Sequence, residues 1–268
     1  MAIMMKTLVM KFGGASLVDC GCFSSIAEII LQRLEEFSQI AVVVSAMGDT
    51  TNQLIELAKK VHPDPPRREY DMLLTVGERV SISLLAMALA LKNHEACSFT
   101  GSQSGIITCA RHADARIIDV RPHRLLPYLK SGKIIIVAGF QGVSQEGGIT
   151  TLGRGGGDIS AVALGVALGA EKVEFYKDVP GVYSNDPKSD PKAQLFDQLT
   201  YDAALKIVEN GAKVLHPRSI MLAKNNRLPL HVRSFMSTKD DIAKGTYIFD
   251  QSLTKPSQPQ FEAITNHA

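Results

Sequence analysis

The sequence predicts an α/β fold in which apolar strands alternate with helices. Three observations carry this reading. Strand-length apolar runs recur at Thr7–Phe12, Ile40–Ser45 and Lys133–Phe140, with helical patterns between them. Gly13-Gly14 closes the first strand. A glycine cluster from Gly153 to Gly157, carrying Arg154, opens a smooth apolar helix in the middle of the chain. Ligands of open α/β sheets sit outside the carboxyl ends of the strands, so these turns are where a site is expected.

The elements follow in order. Thr7–Phe12 reads as a buried first strand, followed by Gly13-Gly14-Ala15-Ser16 and a helical pattern over Ser24–Phe37. Strand, glycine turn and helix form a phosphate-binding context. The spacing is neither G-x-G-x-x-G nor GxxxxGK[ST], so neither a dinucleotide fingerprint nor a P-loop is supported. Lys11 ends this strand, where an unpaired buried charge is costly. The glycines behind it favour a phosphate contact over a snorkelling edge residue. Ile40–Ser45 is a second buried strand. The polar turn after it offers Ser45, Gly48, Thr50 and Thr51, either as caps for a helix over Gln53–Lys60 or as ligand contacts.

His62–Arg68 is a proline-rich surface connector, and Glu69–Leu91 reads as one long helix or a broken pair. Gly77-Glu78-Arg79 interrupts its apolar pattern. Glu78 is either an exposed helix charge or a carboxylate placed to hold an amine. Short strands are expected at Cys97–Thr100, Gly105–Thr108 and Arg116–Val120, with His112 in a surface loop. A helix follows over His123–Ser131, then the strong strand Lys133–Phe140, and Ser144–Ile149 reads as a hairpin tip.

Thr150–Tyr183 organises the rest of the chain. Its glycines permit close backbone approach and positive φ. Asp158 is a candidate N-cap whose carboxylate could instead face a ligand. The helix start welcomes an anion, and Arg154 suits a carboxylate or phosphate. Val173–Tyr176 reads as a strand ending in the Asp178-Val-Pro-Gly turn. Ser184–Lys188 is a turn, and helices follow from Thr200 through Asn210 and over Arg218–Asn225, broken by Gly211–Pro217. Leu230–Phe235 and Gly245–Phe249 close the list of strands.

Composition bounds the function. A chain of 268 residues with net charge +2 makes no electrostatic case for nucleic acid or membrane. Apolar content of 45% and charged content of 21% are those of a globular protein, with no run of 18 apolar residues and no signal peptide. The four cysteines, Cys20, Cys22, Cys97 and Cys109, lack paired CxxC zinc spacing. Cys20-Gly-Cys22 is expected as a reduced loop pair in a cytoplasmic protein, with a redox role the weaker alternative.

Several segments share one likeness. Lys11-Phe-Gly-Gly14 with Ser16, Val43-Val-Ser-Ala-Met-Gly-Asp-Thr-Thr51, Gly77-Glu78, Phe99-Thr-Gly-Ser-Gln103, Thr151-Leu-Gly-Arg-Gly-Gly156, Asp178-Val-Pro-Gly-Val-Tyr183 and Gly211-Ala-Lys-Val214 occur in order. Together they resemble the aspartate kinase family, within the amino-acid kinase superfamily, over Lys6–Phe249. The resemblance implies a three-layer αβα fold around a mostly parallel sheet of about eight strands. It implies one catalytic domain over residues 1–249, binding the amino acid in its N-terminal part and the nucleotide from about residue 150 onward, and a tail over 250–268. Lys11 and Asp158 would be catalytic. Ser45, Thr51, Glu78 and Arg154 would hold aspartate. Lys11, Phe12, Gly13, Gly14, Lys177, Asp178, Tyr183, Lys188, Lys213 and Val214 would hold ATP, with Mg²⁺ carried by the nucleotide and no dedicated metal cage.

The implied activity is phosphorylation of the L-aspartate β-carboxylate, the first step of the pathway to lysine, threonine and methionine. A glutamate or acetylglutamate kinase is the nearest alternative, and a weakly catalytic regulatory subunit is another. The chain departs from the family at Lys177 (usually threonine or serine), Gly157 (usually serine) and Lys188 (commonly arginine). Lys177 is therefore expected to bear on the adenine side and to be replaceable by threonine without harm. Family members often continue into C-terminal ACT domains, and Phe261–Ala268 looks like the entry to one. With the sequence ending at residue 268, no ACT domain is expected, nor inhibition by lysine or threonine. Assembly is expected as a homodimer or with a regulatory subunit.

Chemistry agrees with the likeness. A carboxylate with a pKa of about 4 is already a nucleophile at neutral pH, so no general base is required. The obstacle is repulsion between two anions, which positive charge and alignment overcome.

Overall fold

The computed structural model describes residues 6–185, 187, 190, 192–236, 245–250 and 258–262. Its first strands are β1 (Thr7–Phe12), β2 (Gln39–Val44), β3 (Ala96–Phe99), β4 (Ile106–Thr108), β5 (Ile117–Val120) and β6 (Ile134–Ala138). After them come β7 (Gln141–Ser144), β8 (Ile149–Thr151), β9 (Lys172–Lys177), β10 (Gln198–Leu199), β11 (Leu230–Ser234) and β12 (Thr246–Ile248). The helices are α1 (Cys22–Arg33), α2 (Thr50–Val61), α3 (Arg67–Leu74), α4 (Val76–Leu91), α5 (Leu126–Lys130), α6 (Gly156–Ala167), α7 (Tyr201–Glu209) and α8 (Pro217–Asn226).

Eight strands form the main sheet in the order β10-β12-β11-β9-β1-β2-β6-β3. Every neighbouring pair is parallel except β11 with β12. The expected α/β architecture is therefore present. Its central strands are largely buried and mostly apolar because both faces are covered, with Lys11 on β1 and Glu174 on β9 as buried charged exceptions.

Strand periodicity sorts the side chains between two cores. Val9, Ala41, Val43, Val173 and Phe175 join α6, α7 and α8 on one face. Leu8, Met10, Phe12, Ile40, Val42 and Val44 join α1 and α4 on the other. Burying each such side chain contributes about 1.5–3 kcal/mol, so a one-residue register slip would exchange the two cores and is strongly opposed. The same parity turns Lys11 and Lys177 toward α6 and turns Glu174 toward α1.

Glu174 is a fully buried carboxylate on that second face. Arg33 reaches it with Nε at 3.1 Å and Nη2 at 2.9 Å, Lys172 at 3.0 Å and Arg233 at 3.3 Å. The Tyr176 hydroxyl donates to it at 2.7 Å. Burial alone would raise its pKa, but His231 and these cations hold it well below the ordinary carboxylate range. The cluster ties α1, β9 and β11 together directly beneath the strand end that carries Lys177.

Two features decide what the sequence left open. The long helix over residues 69–91 is a broken pair, interrupted at Thr75 rather than at Gly77. Arg67–Leu91 is apolar and long enough to pass for a membrane span, yet α4 packs on β3, β6 and α1 as a core helix. In addition, the run expected as one strand to Phe140 stops at Ala138, because Phe140 takes φ 67° and redirects the chain. Beyond that bend lies a second sheet in the order β5-β4-β7-β8. Its strands β4 and β5 match the short strands expected at Gly105–Thr108 and Arg116–Val120, and β7 and β8 flank the expected hairpin tip; their joining into a sheet apart from the main one is what local patterns do not give.

Candidate active site

Lys11 stands one residue before the end of β1, paired in register with Val43 on β2 and Phe175 on β9. It is 5% exposed, so the snorkelling alternative fails. Its Nζ lies 2.8 Å from Asp158 Oδ1. At that distance the contact is a close ion pair between two buried charges. Gly13 permits the arrangement, since a Cβ there would sit 3.2 Å from Lys11 Nζ.

Asp158 lies in the first turn of α6 and is not its N-cap; Gly155 holds that position in the left-handed conformation, φ 74°. Burial pushes the Asp158 carboxyl up, but Lys11 and Lys177 outweigh it and bring the pKa down to about 2. The carboxylate therefore stays ionised at neutral pH. Gly157 lies beside the same lysine, where a Cβ would come 3.3 Å from Lys11 Cε and 3.4 Å from Ser45 Oγ. The chain thus brings β1, β2 and α6 together at Lys11, Ser45 and Asp158.

Glu78 enters from the first turn of α4 and is 4% exposed, which removes the surface-charge alternative. Its Oε1 accepts from the Ala46 N–H at 3.1 Å, while Oε2 is buried with no donor. Burial is the main influence and raises the pKa to about 7, against backbone donors and the nearby charge of Lys11. Gly77 lets this helix start approach, since a Cβ there would lie 2.8 Å from Ala46 Cβ. Thr51 is half-buried in the first turn of α2. Arg154 is exposed between Gly153 and Gly155, which have φ of 71° and 74°.

A cavity of about 560 Å³ opens beside this centre, lined by Lys177, Asp178, Tyr183, Ile207, Lys213 and Val214 among others. Five of the residues expected at the nucleotide end therefore share one cavity. Phe12 is corrected in part: its side chain is fully buried on the α1 face and stacks on Tyr176 at 4.6 Å, leaving only its backbone near the glycine turn. Lys177 lines this cavity and in addition reaches Asp158 Oδ2 at 3.3 Å. Lys188 lies outside the described residues. Among the described residues no group of His, Cys, Asp or Glu is arranged to hold a metal.

Sequence reasoning missed the supports of the arginine loop. Asp71, fully buried, accepts from Thr151 Oγ1 at 2.6 Å and Ala113 N at 3.1 Å, and pairs with His112 Nδ1 at 2.8 Å. His112 is thus an anchored, half-buried residue rather than a free surface one. Arg218 donates to the Leu152 carbonyl at 3.2 Å and pairs with Glu262 at 2.7 Å. Neither carries a local signal, because their partners lie 80, 66 and 44 residues away.

The geometry can be set beside known proteins. The sequence model of the Amino acid kinase family matches residues 6–234. An aspartokinase from Mycobacterium bovis is 48% identical over 236 residues, covering 88% of this chain and 56% of that protein. The crystal structure of aspartate kinase from Synechocystis superposes with a TM-score of 0.81 at 43% identity, covering 93% of this chain and 41% of that one. E. coli aspartokinase III, in complex with aspartate and ADP, gives a TM-score of 0.81 at 27% identity, covering 92% of this chain and 65% of that one. The chain thus spans little more than half the length of the M. bovis protein.

Proposed function

The chain belongs to the amino acid kinase family, and on that premise we propose that it transfers the γ-phosphoryl group of ATP to the β-carboxylate of L-aspartate. The observation that carries this reading is Glu78: a buried carboxylate with one oxygen unsatisfied, close enough to Lys11 to feel its charge. A free carboxylate oxygen beside a phosphate-binding lysine suits an acceptor that bears both an ammonium and a carboxylate. Aspartokinase III, a relative by fold and sequence, was solved with aspartate and ADP.

In this reading Glu78 Oε2 takes the substrate ammonium and Arg154 its α-carboxylate, with Ser45 and Thr51 beside them. Tyr183, Val214 and the rest of the cavity take the nucleoside, and Asp178 and Lys213 border it. Lys11 and the Gly13-Gly14 amides receive the terminal phosphates. The acceptor β-carboxylate oxygen bonds to Pγ as the bond from Pγ to the bridging oxygen breaks, and ADP leaves with that electron pair. No proton moves, so the site needs no general base. Lys11 neutralises the approaching anions, and Asp158 fixes its ammonium.

Mg²⁺ fits the donor set at one point: the Asp158 carboxylate, though it faces Lys11 at 2.8 Å and Lys177 at 3.3 Å, is ionised and has lone pairs left to accept from water coordinated to the ion. When bound, Mg²⁺ would be held mainly by phosphate oxygens and water and would supply further neutralisation of the triphosphate. The four cysteines are free, which suits a reducing cytoplasm. The β-aspartyl phosphate product would feed the pathway to lysine, threonine and methionine.

The test is ADP release by the purified protein with L-aspartate, L-glutamate or N-acetylglutamate. Release that depends on L-aspartate is expected. Preference for either of the others would replace this acceptor with its sister.

A further inference from the structure

Lys177 is a second lysine on Asp158. It ends β9 on the same sheet face as Lys11, one strand away, and its Nζ lies 3.3 Å from Asp158 Oδ2 while Lys11 takes Oδ1 at 2.8 Å. Its side chain is only 18% exposed and also lines the nucleotide cavity. One buried carboxylate thus faces two largely desolvated ammonium groups. Asp178, the next carboxylate along the chain, is exposed and shared with solvent.

An ammonium has three donors. Asp158 takes one of Lys177's at a long distance, and the side of the group that borders the cavity remains for a ligand. Asp158 needs only one cation for neutrality, and Glu78, the other buried carboxylate that feels Lys11, makes no ion pair with either lysine, so a structural pair with Asp158 alone does not account for the second. Burial followed by the charge of Lys11 lowers the Lys177 pKa, while Asp158 raises it. An incoming anion relieves that repulsion. A compact ammonium suits phosphate oxygens rather than the flat face of a base.

We propose that Lys177 is a second phosphate-binding lysine, contacting the terminal phosphates of the nucleotide, with Asp158 holding it and Lys11 on either side of the transferred group. The proposal rests on the phosphoryl-transfer reading above and deepens it. As Pγ passes from the bridging oxygen to the acceptor carboxylate, negative charge gathers on the departing β-phosphate. Lys177, at the cavity side of Asp158, stabilises that charge, whereas Lys11 faces the acceptor. This reverses the expectation from sequence that Lys177→Thr is harmless.

The experiment is calorimetric titration of the full chain with ATP, ADP and AMP in Mg²⁺ buffer, for the wild type, Lys177→Met, Lys177→Thr and Lys177→Arg, beside aspartate-dependent ADP release. Lys11 remains to neutralise Asp158, so the variants are expected to fold, and thermal melting checks this. Loss of a charged contact should weaken ATP and ADP about tenfold or more in the Met and Thr variants. AMP affinity should change by less than about twofold, kcat should fall, the KM for aspartate should hold, and Arg should restore much of the loss. Unchanged ATP affinity in Lys177→Met or Lys177→Thr would overturn the proposal, as would equal weakening of ATP and AMP, which marks an adenine-side or purely structural lysine. A wild type that binds ATP but ignores aspartate would refute the acceptor while leaving the Lys177 comparison valid. A wild type that binds no ATP would overturn both.

Discussion

The backbone of Gly155 lies against the ring of His216: a Cβ on Gly155 would come within 2.2 Å of His216 Cγ. The N-terminus of α6 and the N-cap of α8 therefore meet with no room for a side chain. His216 caps α8 by accepting from the Arg218 N–H at 3.3 Å, so its ring cannot swing away without loss of that bond.

Gly155→Ala is accordingly expected to destabilise the protein by more than the left-handed conformation alone, which costs about 1–2 kcal/mol. Gly132→Ala is the control: its φ is 77°, similar to the 74° of Gly155, yet a Cβ there meets nothing within 4 Å. Denaturant midpoints should show the larger loss in Gly155→Ala. Equal losses would mean that the His216 contact relaxes freely.

Lys11→Met removes the ammonium that faces both Asp158 and the glycine turn. Turnover should fall at least about a hundredfold, as when one preorganised stabilising group is lost. Lys177 still pairs with Asp158, so the melting temperature should move far less than the rate. Near-normal kcat in a folded variant would remove Lys11 from the chemistry.

Glu78 sets a pH dependence. Its pKa is raised from 4.5 to about 7, so the folded state binds its proton more tightly than the unfolded chain between those values. Stability contributed by Glu78 is therefore present at acid pH and lost as pH rises toward 7 and beyond. Glu78→Gln abolishes the titration. The variant should match wild-type stability near pH 4, below both pKa values, and exceed it near pH 8, by up to about 3 kcal/mol. An unchanging difference between the two pH values would contradict the raised pKa.

In the proposed reading, the same group would bind the substrate ammonium only when ionised. The aspartate KM of the wild type should therefore fall as pH rises through about 7, and that of Glu78→Gln should be high throughout. A wild-type KM that is flat from pH 6 to 8 would separate Glu78 from the ammonium.

Arg154→Ala tests the other end of the substrate. The side chain is exposed on a glycine loop, so its removal leaves no cavity. The aspartate KM should rise about tenfold or more through loss of one charged pair, while ATP affinity stays within about twofold. An effect on ATP alone would mean that the two ends of the site are reversed.

The sequence by itself determined the layers and named most of the candidate residues that the fold brings together. Apolar runs broken by glycine turns named β1, β2 and β6 and placed Lys11, Gly13 and Gly14 at a strand end. Strand parity, once β1 is located, already sends Lys11 and Phe12 to opposite faces, though Phe12 was placed with the ligand. What only the tertiary structure decided is which charges meet. Lys11 and Asp158 are 147 positions apart in the sequence, and Lys177 finds the same carboxylate from a third element. Asp71 and Arg218 brace the arginine loop from helices that no local pattern ties to it. Two strands of the second sheet, β4 and β5, and the hairpin tip between β7 and β8 were legible locally, but their assembly into a separate sheet was not, because strand pairing joins residues distant in sequence. The physical reason is common to all of these. Periodicity and turn chemistry are properties of neighbouring residues and can be read along the chain, whereas a buried charge takes its partner, and so its pKa, from whichever distant element the parallel sheet sets beside it.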